Sequence, residues 1–143
     1  HLVVLPRTSI GLQRLFHLVS RGYREGFYRF PRVDYRMLRE AAQGGHLMIS
    51  TACIGGPIAY EVFKHAQQVE FDDLKHTLLD DPSFHRNVMT GVGNAYQGLV
   101  DAVGINDVHL ELQFNQLPAQ HLVNRAIIEF AKVESPELAQ DMA

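Results

Sequence analysis

Apolar positions along the chain change period several times, and each change predicts an element. HLVVLP (1–6) is an unbroken apolar run stopped by Pro6, which predicts a buried strand. After Thr8 and Ser9, either of which can cap a helix, Leu12, Leu15, Phe16, Val19 and Tyr23 recur at helical spacing, and Gly22 can close that helix. DYRMLREAAQ (34–43) predicts a shorter helix with Asp34 as cap and Gly44-Gly45 as stop, whereas REGFYRFPRV (24–33) keeps neither period. HLMIST (46–51) predicts a second buried strand. Helices follow over about 57–68, 70–79 and 83–103, the last placing Phe84, Val88, Val92, Ala95, Tyr96, Leu99 and Val103 on one stripe. Gly91, Gly93 and Gly98 lower its intrinsic propensity, so packing must hold it. VHLELQF (108–114) alternates as a strand with one apolar face, LPAQHLVNRAIIEFAK (117–132) predicts a final helix with Pro118 in its first turn, and 134–143 predicts a frayed polar tail.

Strands alternating with helices predict an α/β fold with parallel strands and helical crossovers. At 143 residues the chain amounts to one ordinary domain or a large piece of a bigger one. It opens on His1 rather than Met and runs straight into an apolar segment, so a piece of something longer is expected. No apolar run approaches the roughly 20 residues that span a bilayer, and a cytoplasmic location with no membrane partner is expected. A single cysteine excludes an internal disulfide. Charge changes the picture more than composition does. Residues 1–45 hold eight arginines against three acids, a net of +5, while the remainder carries −8. Such asymmetry suggests that one face meets phosphates.

Cys53 follows a strand, in the turn leading to the next helix, and in parallel α/β folds that rim is where active sites are built. Three readings stay open for it: a metal ligand, an activated nucleophile, or a small buried hydrophobe. No cysteine-hydrolase signature surrounds it, and TACIGGP is neither of the glycine-rich phosphate loops. The other histidines show no paired metal-ligand spacing. On the polar face of 108–114, Glu111 is a further ligand candidate, against the alternatives of a solvated face or a hydrogen-bond network. In SRGYREGFYRFPRVDYR, arginines alternate with aromatics; Arg24, Arg29 and Arg32 are candidates for nucleic-acid or phosphate contact. The alternative is a loop whose aromatics fill gaps between helices while its arginines face water.

Three stretches together, 1–34, 47–59 and 108–132, resemble the N-terminal PHP (polymerase and histidinol phosphatase) domain of the alpha subunit of bacterial DNA polymerase III. The resemblance implies part of a distorted (β/α)7 barrel over residues 1–133, with parallel strands and an enlarged helical insertion across 60–107. It places His1 on the family's strand-opening His ligand and Cys53 on its Cys ligand, and so implies a divalent metal, zinc or manganese, in a site of which this chain holds only part. The implied activity is metal-dependent phosphodiester hydrolysis, a proofreading 3'-5' exonuclease, within a DNA-directed DNA polymerase whose palm carboxylates lie elsewhere. The competing expectation is a non-catalytic structural or partner-binding module. Implied partners are the remainder of the alpha subunit, DNA and the proofreading exonuclease subunit, with self-association through unpaired strand edges.

Overall fold

The start signals act as the pattern requires. The computed structural model describes residues 1–134, beginning with a short strand β1 (Val3–Pro6). Thr8 caps α1 (Ser9–Arg24), its hydroxyl accepting the Gly11 N–H at 3.1 Å, and Asp34 caps α2 (Tyr35–Ala42) by accepting the Met37 N–H at 2.7 Å. Strand β2 (Leu47–Ser50) leads into α3 (Pro57–Lys64), where Pro57 takes the first helical position. Residues predicted as a helix over 70–79 instead form two 3₁₀ turns, Phe71–Asp73 and His76–Asp80. Helix α4 (Pro82–Val103) follows, with the Asp81 carboxylate accepting the Phe84 N–H at 2.7 Å, and then β3 (Val108–His109) and α5 (Pro118–Glu134). Of the expected tail 134–143, all but Glu134 lies outside the described residues.

The chain divides into two compact units. The first, residues 2–51 and 97–109, carries the sheet, with strand order β1-β2-β3. β2 and β3 are parallel, Ile49 opposite Val108 and Ser50 opposite His109. β1 is not: it runs antiparallel to β2, with Val3 opposite Ser50 and Pro6 opposite Leu47. This corrects the all-parallel expectation, and its cause lies in the connection. Two helices rather than one separate the strands, and an even number of passes returns the chain to the end that it left. β1 is also not the buried strand expected, since Val3 and Leu5 are exposed. The unit's core is Leu18, Met37, Leu38, Leu47, Ile49, Leu99 and Val108, and full burial of residues such as Leu47 and Ile49 contributes about 1.5–3 kcal/mol each. Helix α1 turns Gly11, Leu18 and Gly22 inward, which leaves the stripe Leu12, Phe16, Val19 and Tyr23 on the open surface.

The second unit, residue 1, 52–96 and 110–134 of the described residues, is helical. Ile58 and Val62 of α3, Val88 and Val92 of α4, and Leu122, Ala126 and Phe130 of α5 form one buried cluster, with Tyr96 set edge-on to Phe130 at 5.3 Å. Arg125 fastens the 3₁₀ segment to α5: it pairs with Asp80 at 2.8 Å and Glu129 at 2.7 Å and donates to the His76 carbonyl at 2.9 Å. Strand geometry in VHLELQF stops after His109, because β2 ends at Ser50 and the segment has no further ladder partner there. Leu110 and Leu112 nevertheless pack against the helical core, while Phe114, expected on the same face, is 93% exposed.

Candidate functional site

The antiparallel register has a chemical consequence. With Val3 opposite Ser50, the start of β1 and the end of β2 lie side by side. His1 precedes one by two residues and Cys53 follows the other by three. Their side chains meet: His1 Nδ1 lies 3.3 Å from Cys53 Sγ. The Gly55 N–H also reaches that sulfur, at 3.4 Å, and the Cys53 carbonyl accepts the Gly56 N–H at 2.7 Å, closing a tight turn at the foot of α3. A Cβ at 55 would sit 2.7 Å from His1 Nδ1, so the His1 ring would have to shift to admit one. One residue before Cys53, Ala52 holds φ 59°, a left-handed conformation that costs a non-glycine residue about 1–3 kcal/mol. The His1 ring and the Gly55 amide hold the Cys53 thiol below its ordinary pKa, against the opposing effect of burial.

Cys53 is partly exposed, so the reading of it as a fully buried core thiol does not describe its position. A thiol with a lowered pKa beside an imidazole is a donor pair suited to a zinc-type ion, and to that extent the residues fit the metal the resemblance implies. Two donors are half of a tetrahedral set. Among the described residues no group of three or more His, Cys, Asp or Glu side chains is placed to hold a metal ion. Glu111 instead accepts from Gln113 Nε2 at 2.8 Å, and Gln113 exchanges hydrogen bonds with Asn124 of α5, whose Oδ1 also accepts from the buried Gln120. Gln120 and Asn124 went unread in the sequence; the available signal was two amides four residues apart on an otherwise apolar helix face.

Arg24, Arg29 and Arg32 are all exposed, and Arg29 and Arg32 converge on one ring, at 5.9 and 5.1 Å from the centroid of Tyr28. The neighbouring aromatics do not fill gaps between helices: Phe27, Tyr28 and Phe30 are 59, 64 and 71% exposed.

Comparison with known proteins identifies the family. The sequence profile of the PHP domain matches residues 1–115. The chain belongs to this family. Its PHP segment contains β1, β2, β3 and both residues of the pair. Three relatives, each named DNA polymerase III subunit alpha, align with 92% of the chain: 31% identical in Aquifex aeolicus, 33% in Thermus aquaticus and 29% in Borreliella burgdorferi. The chain spans 9% of the length of each. Membership accords with the mixed α/β fold of the described residues. No described helix is long and apolar enough to cross a membrane.

Proposed function

We propose that this chain is part of the PHP domain of a replicative DNA polymerase alpha subunit in the cytoplasm, and that its His1–Cys53 pair contributes to a site for metal-dependent hydrolysis of phosphodiester bonds, as in a proofreading 3'-5' exonuclease. The observation that carries this reading is the 3.3 Å approach of His1 Nδ1 to Cys53 Sγ in a chain whose relatives are polymerase alpha subunits. Cys53 and His1 would hold the ion, zinc or manganese, with the remaining ligands supplied by other parts of the polymerase and Glu111 a further donor. A bound divalent ion supplies an activated water and Lewis-acid stabilisation of a phosphoryl oxygen. This chain's own residues orient the donors: Gly55 leaves room for the imidazole and offers its amide to the sulfur, and the turn closed by Gly56 fixes Cys53 at the foot of α3.

A second reading is a non-catalytic module that docks the rest of the alpha subunit or the proofreading subunit. It is favoured by the exposed apolar stripe on α1. Thermal unfolding followed by circular dichroism, with chelator and then with zinc or manganese, separates the two. A metal-dependent rise in midpoint that Cys53→Ser abolishes supports the metal site. An unchanged midpoint for both proteins favours the docking module.

A further inference from the structure

The loop between α1 and α2 belongs to the sheet unit. Its base is pinned: a Cβ on Gly26 would lie 2.0 Å from the Arg32 carbonyl oxygen, so only glycine lets the two ends of the loop meet. Residues 27–31 project beyond that closure, and every one of them is exposed. At its tip Arg29 holds φ 63°, and the Tyr28 N–H donates to the Phe30 carbonyl at 3.1 Å. A left-handed arginine between two exposed aromatics is a costly way to build a connector, and strain of this kind concentrates at binding sites.

The arginines of this region divide into two groups. Arg7 and Arg21 form close ion pairs, with Asp107 and with Glu25 and Glu40, and Arg36 lies 3.5 Å from Glu40. Arg14 and Arg39 donate to backbone carbonyls. Among the described residues, Arg24, Arg29 and Arg32 have no carboxylate at ion-pair distance, and the latter two lie over Tyr28 instead. Three guanidiniums outside any close ion pair, interleaved with three exposed rings, offer what an unpaired polynucleotide takes: positive charge for its phosphates and flat faces for its bases. Duplex DNA offers the first but not the second, and the loop presents no helix or ribbon that could enter a groove.

We propose that loop 24–32 is a single-stranded nucleic-acid platform, with Arg24, Arg29 and Arg32 gripping phosphates and Phe27, Tyr28 and Phe30 stacking bases. It stands on the loop's geometry and charge, independently of the metal site. The test is fluorescence anisotropy of a labelled oligo-dT strand with the full 143-residue chain, titrated across salt concentrations. Binding at low salt should weaken steeply as salt rises. Arg29→Asn combined with Arg32→Gln, where asparagine accepts the left-handed backbone, should flatten the log–log salt slope by about 1.4, since each lost single-strand phosphate contact removes roughly 0.7. Phe27→Leu combined with Phe30→Leu should keep that slope and weaken binding about fivefold or more per base lost from the stack. These side chains lie outside the core, so unchanged melting midpoints verify that each variant is folded. No binding at low salt, binding unaffected by either pair of substitutions, or a duplex bound as tightly as the single strand would overturn the proposal and leave the loop as a protein-docking surface.

Discussion

A Cβ placed on Gly26 would lie 2.0 Å from the Arg32 oxygen and 3.0 Å from its carbon, both backbone atoms that no rotamer change can move. Gly26→Ala must therefore open the base of the loop. The expected cost is about 1–3 kcal/mol, as for overpacking elsewhere, read as a lowered denaturation midpoint at unchanged slope. An unchanged midpoint would mean that the loop is not closed in solution. Nothing in REGFYRFPRV marked this glycine out, because its constraint comes from a residue six positions on rather than from a local turn. Gly55 also meets a residue distant in sequence, His1, but there the neighbour is a side-chain ring that can shift. Family resemblance singled out Cys53 and His1 as candidates. Their meeting was not derivable from parallel strands, which would have put a strand's first residues and the turn after another strand's last at opposite ends of the sheet. The antiparallel pairing of β1 with β2 is what brings them together.

At the scale of elements, helix starts were the most legible features, because each is a one-residue signal: Thr8 with Gly11, Asp34 with Met37, and Pro57 and Pro118 at first positions, whereas Gly22, expected to close α1, lies buried inside it. Which face of a helix lies inward was less so. Periodicity found the α1 stripe but could not say that Gly11, Leu18 and Gly22 take the inner face. Helices α1 and α2 are joined by charge as well as packing. Arg21 donates from Nε to both Glu25 oxygens at 3.1 Å and from Nη1 to Glu40 at 2.6 Å. Arg21 holds the exposed Glu25 carboxyl below the ordinary carboxylate range. A carboxyl whose pKa is depressed on folding stabilises above its unfolded value, about 4.3 for glutamate, and loses that contribution as pH falls through the folded value. Glu25→Gln is thus expected to melt slightly below wild type at neutral pH, with the two curves converging in acid. A gap that persists unchanged below about pH 3 would assign the effect to packing rather than to the ion pair.

At the scale of the whole molecule, one side of the sheet unit is built as though something covers it. Leu12, Phe16, Val19 and Tyr23 fall on one face of α1 and are 42, 65, 50 and 60% exposed. Aromatic side chains alone bring about 150–250 Å² each, so this stripe approaches the largest apolar patch that ordinary monomers leave in water, about 300–600 Å². β1 adds a sheet edge with Val3 and Leu5 exposed and a row of unpaired backbone groups, with no charged side chain among its four residues to discourage pairing. Both features are expected to drive association of the isolated chain. Sedimentation velocity should therefore show a coefficient that rises with concentration. Phe16→Glu with Tyr23→Glu should return the chain to a monomer if the helix stripe is the contact, and Val3→Lys should do so if the strand edge is. Circular dichroism should stay as in the wild type for all of them, because none of these side chains belongs to the core. A single monomeric species at high concentration in the wild type would refute the association and would show that about half-exposed apolar stripes on α1 are tolerated without a partner.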